Sequence, residues 1–168
     1  FFKFNNFLYC DGTRSLDIAK AVGARNVEGK WGTAPGAAKT GSYDIFVSDY
    51  RAEYKVLPPL PFITNAYDAT AVIGLGAYAA KAKGKYITSK NIRDELRKVA
   101  NPPGEVIKPG EFKKAFQWLN QGKDINYEGA AGSVDFDEYG DVVTPIEVWR
   151  FRKGDMVTMR VEMWIPPI

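Results

Sequence analysis

Within the first 35 residues an aromatic, apolar run gives way to a helix-patterned segment and then to a second extended run, and that order restricts the fold more than any other feature. Phe1 to Tyr9 reads as a buried strand. Ser15 to Val22 sets Leu16, Ala19 and Val22 on one helical face, with Thr13 or Ser15 as N-cap and Gly23 as the C-terminal stop. Val27 to Ala34 resumes an extended pattern that Pro35-Gly36 breaks. Strand, helix and strand in this order form a βαβ unit, whose two strands lie parallel, so the expected fold class is α/β.

The junction between the first strand and the helix reads Tyr9-Cys10-Asp11-Gly12-Thr13-Arg14-Ser15. In open α/β sheets strand ends and helix N-termini converge on the crevice where ligands are held. A carboxylate there repels a phosphate and attracts an ammonium group, to which a charge-assisted hydrogen bond is worth roughly 1.5–3 kcal/mol in a dry cleft. An Asx-type turn made by Asp11 itself accounts for the residue equally well. Cys10, at the end of an apolar strand, reads as a buried and inert thiol.

Further along, "GSYDIFVSDYRAEY" places Phe46, Tyr50 and Tyr54 one helical turn apart and ends before the proline-rich "VLPPLPF". Asn65 is expected to cap a long helix from Ala66 to about Lys81, rich in small residues for close packing, with Asp68 in its first turn complementing the dipole. Ser89 to Ala100 and Glu111 to Leu119 carry apolar stripes of surface helices covering a sheet. From Ile125 the period becomes two. Val157, Met159, Val161, Met163 and Ile165 are expected on one buried face of a closing hairpin, opposite Thr158, Arg160 and Glu162.

Composition removes several chemistries. The 168 residues contain no histidine and one cysteine, which excludes Ser–His and Cys–His catalysis within the chain and any intrachain disulfide. "DFDEYGD" has the acid density of a calcium loop but not its spacing, so it reads as a polar turn and no metal is expected. The glycines of "IGLGAYAA" lack the context of a dinucleotide fingerprint and suit helix packing. That segment is also well short of the roughly 20 residues that cross a bilayer. A net charge of +3 comes from 23 basic and 20 acidic residues spread along the sequence without a block of like charge, so no nucleic-acid partner is expected. The chain starts in what looks like mid-strand without a start methionine, which suggests a processed or clipped protein.

"NPPGEVIKPGEFKKAFQWLNQGKDINYEGAAGSVDFDEYGDVVTPIEVWRF" resembles the C-terminal region of the solute-binding proteins of branched-chain amino-acid type ABC transporters. "FLYCDGTRSLDIAKAVG", "EGKWGTAPGA" and "NAYDATAVIGLGAYAAKA" resemble the preceding segments of that family, in the same order. The resemblance implies a type I periplasmic binding fold, two lobes with parallel-sheet cores that close on a small solute, here incomplete because the N-terminal half is absent. Residues 1–35 would belong to the second lobe, 36–143 to the first, and 144–168 to the second again.

The resemblance also implies that Asp11 receives the α-ammonium group of an amino acid, with Gly12, Thr13 and Tyr9 as neighbours. It implies a non-enzymatic, cofactor-free, periplasmic or otherwise extracytoplasmic protein. Its partners would be an amino acid, amide or aromatic acid, the membrane permease subunits, and a complementary N-terminal fragment or a swapped copy. A sensory or regulatory ligand-binding domain of the same fold is the alternative.

Overall fold

Residue 7 opens the described part of the computed structural model, which covers residues 7–58 and 60–163. The described residues fall into two units, one drawn from residues 1–37, 58–62 and 144–168 and the other from 38–57 and 63–143.

The first unit contains the βαβ element. Strand β1 (Leu8–Tyr9) runs parallel to β2 (Trp31–Pro35), with Tyr9 opposite Gly32. Between them lie a 3-10 turn (Asp11–Thr13), helix α1 (Leu16–Val22) and the short α2 (Ala24–Val27). Ser15 caps α1 by accepting the Asp17 N–H at 3.1 Å, and Gly23 ends it at φ +86°, a value that favours glycine. The second extended run is shorter than expected: Val27 closes α2 and is buried, and β2 starts only at Trp31.

Strands β5 (Pro145–Arg152) and β6 (Asp155–Met163) complete a sheet in the order β1-β2-β5-β6, with β5 antiparallel to both neighbours. The two-residue connection Lys153-Gly154 has φ values of +55° and +81°, the left-handed pair of a tight hairpin turn. Strand β5 alternates cleanly, burying Pro145, Glu147, Trp149 and Phe151. Trp149 lies flat against the β2 backbone, where a Cβ on Gly32 would sit 2.2 Å from its ring. Ala19, Val27, Ala34, Tyr9, Ile18 and Met156 surround Trp149 and Phe151.

Two expectations fail in this unit. The described end of the first apolar run is not buried: Leu8 is 77% exposed, since among the described residues β1 is an edge strand pairing with β2, and Cys10, just past its end, is exposed too. Residues 1–6 of that run lie outside the described residues. The buried face expected on β6 does not form either. A bulge between Val148 and Trp149 inserts one residue into β6, so Val157 pairs with Arg150 whereas Val161 and Met163 pair with Glu147 and Pro145. A one-residue slip exchanges the two faces of a strand, and the apolar set is split and left exposed. Ile165 lies outside the described residues.

The second unit holds α3 (Gly41–Tyr54), α4 (Ile63–Ala82), α5 (Ser89–Ala100), α6 (Phe112–Asn120) and the parallel pair β3 (Glu105–Ile107) and β4 (Ile125–Tyr127). Thr40 and Thr88 cap α3 and α5 through their hydroxyls. The core joins Val72, Leu75 and Ala79 of α4 to Val99, Ile107, Ala115, Ile125 and Tyr127. At Gly76 the α5 backbone comes close, with the Ile92 carbonyl 3.3 Å from where a Cβ would stand. Helix α4 starts before the expected cap, so Asn65 lies within it and Asp68 is past its first turn.

Candidate functional site

The sequence places its candidate contacts, Tyr9, Asp11, Gly12 and Thr13, in the turn that leaves β1. Cys10 is extended, and its carbonyl accepts the Thr13 N–H at 3.1 Å and the Thr13 hydroxyl at 2.7 Å. The same hydroxyl accepts the Cys10 N–H at 3.0 Å, and the Asp11 carbonyl accepts the Arg14 N–H at 3.0 Å. Thr13 therefore spends its hydroxyl on closing the turn. Tyr9 points its ring into the core, 5.7 Å from Phe151 and edge-on, so its contribution is to anchor the strand end.

Asp11 and Gly12 remain available. Asp11 is half-buried, and no side-chain hydrogen bond or ion pair among the described residues engages its carboxylate. Open space surrounds the position of a Cβ on Gly12, so the turn presents bare backbone beside the carboxylate.

Sequence reasoning missed what fixes this turn from below. Arg14, directly after it, forms a two-pronged ion pair with Glu147 of β5, Nε to Oε2 and Nη2 to Oε1 each at 2.8 Å, and both side chains are largely buried. The Thr158 hydroxyl of β6 donates to the same carboxylate. A fork-to-fork pair fixes direction as well as distance, so Asp11 stands on a turn tied to the centre of the sheet. One signal was legible: Glu147 is an acid at an inward position of an alternating strand, and a buried charge requires a partner.

In the second unit Asp68 is buried and fully engaged. It accepts the Tyr127 hydroxyl at 3.0 Å and the N–H groups of Ala130 and Ala131 at 2.7 and 2.8 Å. Burial pushes its carboxyl above the usual range, against the pull of those three donors. Burial likewise raises the Tyr127 phenol, which stays a proton donor. A Cβ on Gly129 would meet the Asp68 carboxylate at 2.5 Å, so this glycine is what admits the loop to its latch. Asp68 is therefore a latch for the 129–131 loop and not the first-turn partner of the helix dipole that its sequence position suggests.

The acidic stretch from Asp135 to Asp141 is a turn organised by Asp137, whose Oδ1 accepts the N–H groups of Tyr139 and Asp141. Among the described residues no group of three acidic or thiol side chains could hold a metal ion, and no helix is long and apolar enough to cross a membrane.

An α/β chain with a βαβ unit, followed by a second unit of helices on a parallel pair, has the architecture of part of the type I periplasmic binding fold. The solved leucine-binding protein LivK of Thermotoga maritima superposes with a TM-score of 0.61 at 23% identity, over 94% of this chain and 37% of that one. The branched-chain amino acid transporter substrate-binding protein LivJ of Streptococcus pneumoniae, solved with isoleucine, gives 0.58 at 18% identity, over 97% and 38%. In sequence, the chain is 28% identical over 130 residues to the chemotactic signal transduction system substrate-binding protein BasB of Halobacterium salinarum, spanning 77% of this chain and 30% of BasB. No protein-family model matches the chain. The chain spans about a third of the length of these relatives, and its resemblance to substrate-binding proteins of the branched-chain amino-acid type stands.

Proposed function

We propose that this chain is part of an extracytoplasmic solute-binding protein that captures an amino acid with an apolar side chain and hands it to the permease of an ABC transporter, without catalysis. The observation that carries the reading is the Asp11 carboxylate, half-buried and unpaired on a turn held rigid by Arg14 and Glu147. A preorganised anion beside bare backbone suits the α-ammonium group of a zwitterion, because little ordering cost is left to binding. Gly12 is proposed to border the solute, with Thr13 and Tyr9 supporting the turn.

Residues 1–35 and 144–168 are proposed to belong to the second lobe of the whole protein and 36–143 to the first, with a complementary N-terminal portion supplying the rest of the pocket. The unit boundaries near residues 37 and 143 support this division. The solutes named with LivK and LivJ, leucine and isoleucine, support the ligand class.

A sensory role is the second reading, and BasB favours it, since that relative is a substrate-binding protein of a chemotactic system. Both readings share the solute. The test is thermal denaturation of the full-length protein against a panel of aliphatic amino acids, amides and aromatic acids. Stabilisation by leucine, isoleucine or valine, growing with concentration, is expected. Stabilisation only by solutes lacking an amine would overturn the reading.

A further inference from the structure

Residues 81–98 carry a local excess of positive charge, with seven of the 23 basic residues and only two acids. They form the end of α4, the loop into α5, and α5 itself, and all seven basic residues are exposed. At the centre of this loop stand Tyr86, 88% exposed, and Ile87, 59% exposed. We propose that this loop is a docking surface for an anionic lipid bilayer, with Tyr86 and Ile87 entering the headgroup layer inside a ring of lysines.

Three features favour a bilayer. The loop is held in shape: the Ala80 carbonyl accepts the Lys85 N–H at 3.0 Å, Gly84 turns at φ +71°, and Asn91 Nδ2 donates to the Tyr86 carbonyl at 2.8 Å. Its two apolar side chains are therefore presented outward before any partner arrives. A tyrosine and an aliphatic residue on a projecting turn match the water–hydrocarbon boundary, where a ring buries its body and keeps its hydroxyl wet. The surrounding charges are mostly lysines, which protein interfaces disfavour, whereas lysine stems can lie along an apolar surface with their ammonium groups among lipid phosphates. Lys83 and Lys85 are anchored on the buried Glu95 at 2.6 and 2.9 Å, while Lys81 and Lys90 carry no ion pair among the described residues and supply the free charge.

The test is co-sedimentation of the full-length protein with vesicles of phosphatidylcholine alone or with about one-third phosphatidylglycerol. Attraction between basic groups and an anionic surface fades within a Debye length, so binding should be strongest at low salt. The expected result is about tenfold stronger partitioning onto the anionic vesicles at 50 mM salt, lost by 300 mM. The double changes Tyr86→Ser with Ile87→Ser, and Lys81→Gln with Lys90→Gln, should each weaken it about tenfold at an unchanged melting temperature. Equal partitioning onto both vesicles, variants that bind like the parent, or retention on an acidic protein surface with no vesicle binding would overturn the proposal. Solute affinity, measured in parallel, is expected to be unaffected by either pair, so the outcome is independent of the Asp11 reading.

Discussion

Arg14 and Glu147 are 133 positions apart in the chain and share one buried carboxylate–guanidinium pair. Removing Arg14 takes from the buried Glu147 carboxylate the counter-ion supplied through Nε. Arg14→Met should therefore destabilise the protein by about 3–5 kcal/mol, whereas Arg14→Met with Glu147→Met should cost clearly less, since an apolar pair of similar volume can replace a buried ion pair. Chemical denaturation of the two single variants and the double variant checks this. If the double variant loses the sum of the two single losses, the pair is not a unit. The acid Glu95 gives a pH-dependent counterpart. Burial pushes its carboxyl up, but the hydrogen bonds from Lys83 and Lys85, with the charges of Lys83 and Lys98, outweigh that and hold it at about 2 instead of 4.5. A lowered acid stabilises the fold fully above its unfolded value, and the contribution is lost as pH falls from 4.5 towards 2. Screening of the half-exposed lysines leaves about 1–2 kcal/mol of it. Glu95→Gln should thus be less stable than the parent at pH 6, with the gap closing by pH 2; a gap that stays constant contradicts the assignment. Asp68, raised by burial, acts in the opposite sense, since its ionisation costs stability as pH rises above 3.8.

Helices α3 and α5 run from Gly41 to Tyr54 and from Ser89 to Ala100, as their sequence pattern says, because a threonine cap, an apolar stripe and a clear stop agree at each. The βαβ order, the closing hairpin and the packing role of Gly76 were legible for the same reason: the signal is local, although Gly74, read with it, is exposed with open space around it. The β6 bulge was not. It depends on the register against β5, and no alternation within one strand reports an inserted residue in the ladder. The same limit hid the Asp68 latch, whose three donors lie 59 to 63 positions away. In the site, the turn and its acid could be read from the sequence; the spent hydroxyl of Thr13, the inward ring of Tyr9 and the Arg14–Glu147 tie could not. Gly32→Ala, which drives a Cβ to 2.2 Å from the Trp149 ring, should cost about 1–3 kcal/mol or more in thermal denaturation, and a neutral result would mean that Trp149 can move aside. The exposed Val157, Met159, Val161 and Met163 on β6 should make the 168-residue chain alone bind an apolar dye and self-associate. A monodisperse 18.7 kDa monomer with no dye response contradicts this.

In the whole protein, the proposed function rests on a binding fold and on the unpaired acid Asp11. The fold is shared with the solved LivK and LivJ over nearly all of this chain, while those proteins are more than twice as long. Under the proposed function this chain contributes charge selectivity: Asp11 should distinguish an amino acid from the same carbon skeleton without its amine. Calorimetric titration of the full-length protein and its Asp11→Asn variant, each with leucine and with 4-methylpentanoate, measures that directly. The parent is expected to bind leucine at least tenfold more tightly than 4-methylpentanoate, and Asp11→Asn to weaken leucine by about one to two orders of magnitude while leaving 4-methylpentanoate nearly unchanged. Equal leucine affinity in parent and variant would contradict that role of Asp11.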